Sequence, residues 1–165
     1  MSPGELEMYS IRKQDREQVK SFITRNWGSA ISISRGSVHA VSKLPGFICK
    51  NDGQIVGLIT YSIEEEQCEI VTLDSKIKRV GLGTRLIERV KDVARKNGCQ
   101  RIWLITTNDN TNAIRFYQKR DFDWVGFYKD AMEVSRELKP EIPLLGNDQI
   151  QIKHEIEFEY KLDKI

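Results

Sequence analysis

Two glycines, Gly81 and Gly83, stand where a basic run enters a strongly amphipathic segment, Lys78-Arg79-Val80-Gly81-Leu82-Gly83-Thr84-Arg85-Leu86-Ile87. The first backbone N–H groups of a helix have no intrahelical partner and lie at the positive end of its dipole. Such a junction can hold a phosphate, and glycines let that phosphate approach the main chain. The run lacks the G-K-[ST] of a P-loop and the third glycine of a dinucleotide fingerprint. A second set lies further along: Asn110, Ala113, Phe116 and Tyr117, spaced N-x-x-A-x-x-F-Y. Asn110 suits a helix N-cap, and a positioned tyrosine phenol can donate a proton. Glu69, in Cys68-Glu69-Ile70-Val71, is a carboxylate on a strand-like stretch and the candidate general base; its plain alternative is a solvent-facing glutamate. The 3 cysteines form no C-x-x-C pair and the 2 histidines, His39 and His154, lie far apart and form no metal-ligand spacing, so neither a disulfide framework nor a metal site is expected.

The elements that must position these groups follow from periodicity. Residues 7–12 alternate as a first strand, and Asp15 is a plausible N-cap for a helix with Val19, Phe22, Ile23 and Trp27 on one face. A Ser- and Gly-rich stretch from 29 to 46 reads as a long loop holding a short strand or helix. Phe47 to Cys49, the turn Asn51-Asp52-Gly53, Gln54 to Ile63, the bend Glu64 to Glu66 and Cys68 to Leu73 form a three-stranded meander. The helix from Gly81 to Lys96 buries Leu82, Leu86, Ile87, Val90, Val93 and Ala94, and turns Arg85, Arg89, Lys91 and Arg95 elsewhere. Arg101 to Thr107 then arrives as a strand after a crossover helix, which implies a parallel neighbour. A helix carrying Tyr117, a strand from Phe122 to Tyr128, one or two helical turns before Pro140, and a strand from His154 to Leu162 complete the chain. In that last strand Ile156, Phe158 and Tyr160 alternate with Glu155, Glu157 and Glu159; it can complete a sheet in cis or exchange with a second copy, which leaves a homodimer open.

A basic residue and G-x-G opening a helix, then a strand, then N-x-x-A-x-x-F-Y on the next helix, resembles the GNAT superfamily of acetyl-coenzyme A dependent N-acetyltransferases. The motifs span roughly residues 68 to 125. The resemblance implies a single α/β domain over 1–165: a mixed, mostly antiparallel, twisted sheet flanked by helices, with a parallel pair around the cofactor cleft. It implies that main-chain groups of Lys78, Arg79, Val80, Gly81, Leu82, Gly83 and Thr84 hold the pyrophosphate of acetyl-CoA, with Asn110 nearby. The strand ending near Leu73 would hydrogen-bond the pantetheine as a missing neighbour and supply a backbone N–H for the thioester oxygen. Tyr117 would protonate the departing thiolate, and Glu69 lies on the strand where some members carry a catalytic glutamate, with a gap to the glycines two residues shorter here. Members more often carry Gln or Arg at Lys78, Gly at Arg79 and Gly at Asp121; contacts made by backbone survive such changes. No cysteine stands at a family nucleophile position, so direct attack by an amine is expected rather than an acyl-enzyme. Arg35 and Trp27 are candidates to face that amine, and Arg85 to approach a coenzyme phosphate.

Composition narrows the partners. With 26 Lys and Arg against 24 Asp and Glu the net charge is +2, which excludes a dedicated nucleic-acid binder. No apolar run approaches the about 18 residues of a membrane span, and the N-terminal residues lack a signal-peptide core, so a cytoplasmic protein is expected. The acceptor is a small-molecule or peptide amine of a class the sequence leaves open. The competing reading is a non-catalytic acyl-CoA binding or regulatory module.

Overall fold

In the computed structural model, which describes residues 6–29, 31–77 and 80–162, these patterns become a seven-stranded sheet and a separate hairpin. The chain order is β1 (Leu6–Ser10), α1 (Arg16–Trp27), β2 (Ile31–Ser34), β3 (Ser37–Ala40), β4 (Gly46–Asn51), β5 (Gln54–Glu64), β6 (Gln67–Ser75), α2 (Leu82–Lys96), β7 (Arg101–Thr107), α3 (Thr111–Gln118), β8 (Asp123–Tyr128), α4 (Ala131–Leu138) and β9 (Glu155–Lys161). The large sheet runs β1-β4-β5-β6-β7-β9-β8 and is antiparallel at every joint except β6–β7. The mixed sheet with one parallel pair is the architecture expected from the order of elements.

Alternation decides what each face carries. On one face Cys68, Ile70, Ile102, Leu104, Ile156 and Phe158 join Leu82, Leu86, Ile87 and Val90 of α2 and Tyr117 of α3 in the larger core. Leu86 and Val90 are fully buried, and side chains of that kind contribute roughly 1.5–3 kcal/mol each. On the other face Val19, Phe22 and Ile23 of α1 pack against Ile48 and Leu58. The β2–β3 hairpin and α4 cover the remainder of this second face through polar contacts to β6 and β9.

Several expectations are corrected. The stretch from 29 to 46 is not a loop with one element: Ile31–Ser34 and Ser37–Ala40 pair antiparallel around Arg35 and Gly36, both at positive φ (48° and 76°), and a short 3-10 turn follows at Val41–Lys43. Asp15 occupies the N-cap position of α1 without capping it, because its carboxylate accepts the Arg12 N–H (2.8 Å) and Nε–H (3.0 Å) instead. Trp27 leaves the apolar face of α1, is 47% exposed, and donates its Nε1–H to Asp74 of β6 at 2.9 Å. Lys91 is buried, with its ammonium 3.9 Å from the Tyr160 ring centre and paired with Glu88. In β9, which lies between β7 and β8, Glu155 and Glu157 are buried. Glu155 accepts the Arg35 N–H at 3.0 Å, and Glu157 accepts from Arg101 and the Tyr128 hydroxyl, each at 2.9 Å.

Candidate active site

β6 and β7 stay paired only through Gln67↔Arg101, Cys68↔Ile102 and Glu69↔Trp103. Both strands run on, to Ser75 and Thr107, without further pairing. The cause is local. The register between β5 and β6 passes from Tyr61↔Ile70 to Thr60↔Thr72, which leaves Val71 as an extra residue in β6. A bulge bends and twists the strand that carries it, so β6 turns away from β7 directly after Glu69. The stretch containing Leu73 therefore has β5 on one side and an open edge of backbone donors and acceptors on the other.

That open edge leads to the start of α2. Gly81 holds the N-cap position at φ 69°, and a Cβ built there would meet nothing within 4 Å. Space lies above it, and the left-handed backbone favours glycine. Gly83 answers a different need: a Cβ there would come within 3.0 Å of Phe116 Cζ, so this glycine lets α2 and α3 touch. No acidic side chain stands in the first turn, and the leading N–H groups face outward from the helix end. Arg120, which sequence reasoning missed, donates its Nε–H to Thr84 Oγ1 at 2.8 Å and lies 3.5 Å over the Phe116 ring. It sets a guanidinium beside this helix start. Val80 is half exposed, Arg85 is exposed, and Lys78 and Arg79 lie outside the described residues.

Asn110 caps α3, its Oδ1 accepting the Ala113 N–H at 3.2 Å. The cap starts a helix that carries Tyr117 into the core, 7% exposed, edge-on to Phe116 and Phe122 and tilted against Phe158. Burial pushes the phenol well above its ordinary pKa, the Asp74 carboxylate pushes the same way, and Arg120 opposes them. Asp74 is itself raised by burial, against the Trp27 hydrogen bond and Lys76. Lys76 in turn donates to Asn26, so the end of α1 is tied to the end of β6.

Glu69 sits on the other side of the β6–β7 opening, on the hairpin face, and is 7% exposed. It is not the solvent-facing glutamate of the plain reading. Ser34 Oγ–H donates to its Oε1 at 2.6 Å, and His39 Nε2 lies 3.4 Å from its Oε2. Burial raises its carboxyl above the usual range; the Ser34 hydrogen bond and His39 pull it back, while Glu64 and Glu155 add to the rise. Together with His39, Ser62, Glu64, Glu65 and Trp103 it lines a cleft of about 420 Å³. Ser34 and His39 were missed because they meet Glu69 across the fold; the signal available was the alternation of I-S-I-S and S-V-H-A around Arg35-Gly36. Arg35 does not face this cleft: it stacks 4.1 Å over Tyr128 and reaches Glu157. A wider depression of about 690 Å³, lined in part by Asp130, Glu133, Arg136 and Leu144, shares no residue with the opening. Among the described residues no group of three or more His, Cys, Asp or Glu could hold a metal ion.

The Acetyltransferase (GNAT) family model matches residues 7–122. Two proteins of Bacillus subtilis (strain 168) are 41% identical to the chain: Uncharacterized protein YdhI over 149 residues, covering 90% of this chain and 93% of that protein, and Uncharacterized protein YxbD over 142 residues, covering 86% and 89%. Among solved structures, a Bacillus subtilis acetyltransferase in complex with CoA superposes with a TM-score of 0.67 at 15% identity, covering 96% of this chain and 99% of that one. A GNAT family acetyltransferase from Elizabethkingia anophelis with acetyl-CoA bound gives the same score and identity, covering 95% and 98%. At that identity the two structures speak for the fold. The extent of the family match and the identity to the two Bacillus proteins, taken with a sheet that opens beside a glycine-led helix, make the chain a member of the GNAT acetyltransferase family.

Proposed function

We propose that the chain transfers an acetyl group from acetyl-CoA to a primary amine by direct attack in a ternary complex. The observation that carries this reading is the β6–β7 opening, which has the Gly81 helix start at one end and a glutamate-lined cleft at the other. The open space at Gly81 and the unpaired β6 edge fit a pyrophosphate and an extended pantetheine arm, and the CoA and acetyl-CoA held by the two solved relatives support the same ligand. Acetyl-CoA supplies the thioester.

The chain's own groups then divide the work. Backbone N–H groups from Gly81 to Thr84, with Lys78 and Arg79 beside them in sequence, bind the phosphates. The backbone near Leu73 holds the arm and supplies a donor to the thioester oxygen as it gains charge. Tyr117, kept protonated by its burial, gives a proton to the leaving sulfur. Glu69 marks the end of the site at which the amine loses its proton. The cleft walls, Glu64, Glu65 and Glu69 with Trp103, suit an amine that arrives as a cation. The acceptor is a small-molecule or peptide amine.

Two measurements test this. Acetyl-CoA at about 100 times its dissociation constant should add roughly 2.7 kcal/mol of stability by mass action, and thiol release should rise with one or more amines in a screen over amine classes. No thermal shift at millimolar acetyl-CoA overturns the reading. A shift without thiol release from any amine favours the non-catalytic acyl-CoA binding module.

A further inference from the structure

Both carboxylate oxygens of Glu69 already have a neighbour from the hairpin. Ser34 Oγ–H occupies Oε1 at 2.6 Å and His39 Nε2 stands 3.4 Å from Oε2. The His39 side chain is 15% exposed and lines the cleft beside Trp103, Ser62 and Glu64. It shares the cleft with Glu69, whose side chain is 9% exposed, and is the more open of the two to the space an acceptor would fill. Both of its contacts, to Glu69 and to Ser34 Oγ at 3.5 Å, fall on Nε2. A carboxylate at Nε2 favours the tautomer with the proton on Nε2, which leaves the lone pair on Nδ1.

We propose that His39 Nδ1 is the atom that takes the proton from the acceptor amine, with Glu69 and Ser34 acting through it as positioning residues. The proposal rests on the acetyl-transfer reading and deepens it. His39 takes one proton from the incoming ammonium, leaving a neutral amine. The amine nitrogen forms the N–C bond as the C–S bond breaks, and Tyr117 gives its proton to the sulfur. The proton still held in excess by the new amide nitrogen returns to Tyr117, and His39 releases its own to water. The sum is RNH3+ plus acetyl-S-CoA to RNHCOCH3 plus HS-CoA plus H+. The charged and titratable groups around His39 are Glu69 from β6, Glu64 at the end of β5 and Glu65 from the turn after it, while Glu155 of β9 bears on Glu69. All are carboxylates. The hairpin thus belongs to the site: it contributes His39 from β3 and Ser34 from β2.

The test compares the full chain with His39→Gln, His39→Ala and Glu69→Gln against an amine that the wild type acetylates. His39→Gln should lower kcat by about 10²–10⁴-fold, leaving the acetyl-CoA thermal shift unchanged, and added imidazole should restore part of the activity of His39→Ala. A histidine that only braces the hairpin would not respond to imidazole. In the free protein, where only 2 histidines contribute signals, ¹⁵N shifts should show His39 with its proton on Nε2, and Glu69→Gln should weaken that preference. An active wild type whose His39→Gln variant keeps kcat within about threefold, while Glu69→Gln is inactive, overturns the inference and makes Glu69 the proton acceptor. An Nδ1-protonated His39 in the wild type overturns it as well. A wild type that releases no thiol with any amine overturns the acetyl-transfer reading and the inference with it.

Discussion

Asn110 and Tyr117 belong to one short helix, and that is why their motif could be read along the chain: cap, spacing and phenol are local. Tyr117→Phe keeps the ring packed among Phe116, Phe122 and Phe158 and removes only the hydroxyl. It should lower kcat by about 10²-fold or more with the melting curve and acetyl-CoA affinity nearly unchanged, as steady-state thiol release and a thermal melt would show. His39 and Ser34 were illegible for the opposite reason, since their partner Glu69 lies 30 or more positions away and nothing in either segment names the other. The thiols allow a pH prediction. Cys49, Cys68 and Cys99 are all buried, and burial raises each thiol, Cys68 to about 12. Raised values mean the protonated, unreactive form persists to higher pH. At pH 8 a thiol with a pKa of about 12 is ionised in only roughly one molecule in ten thousand. A disulfide reagent should therefore find Cys68 silent in the native protein at pH 8 and all 3 thiols reactive after denaturation.

The elements were legible where periodicity was long and failed where it was short. The meander, α2 and β7 repeat their pattern over enough residues to declare themselves. β2 and β3 span 4 residues each, too few to separate a strand from a loop. In β9 the alternation divided the strand into two faces, but which groups the glutamate face meets, Arg35, Arg101, Tyr128 and Ser135, lay beyond what alternation can show. The glycines at the head of α2 looked equivalent in sequence and are not. Gly81→Ala should cost about 1–2 kcal/mol by forcing a side chain into left-handed backbone. Gly83→Ala should cost about 1–3 kcal/mol by pressing on Phe116. Adding Phe116→Leu should recover part of the second loss and none of the first, a pattern that urea denaturation of the four variants can read.

At the scale of the molecule, the strand–helix–strand order announced a parallel pair, but how soon that pair separates depends on the single extra residue Val71, which no composition reveals. With acetyl-CoA bound, hydrogen exchange at backbone amides in 70–75 should slow, and those in β4 should change little; equal slowing everywhere would mean general stabilisation instead of occupation of the open edge. The joint has a further consequence. Its three residue pairs make it the shortest in the sheet, against five to eight at every other. It also divides strands drawn from 6–75 from strands drawn from 101–161. The molecule is thus two half-sheets sewn along one brief seam, and a ligand lying in that seam acts as a splint. Whatever loosens the halves from each other empties the groove, and whatever fills the groove holds the halves together.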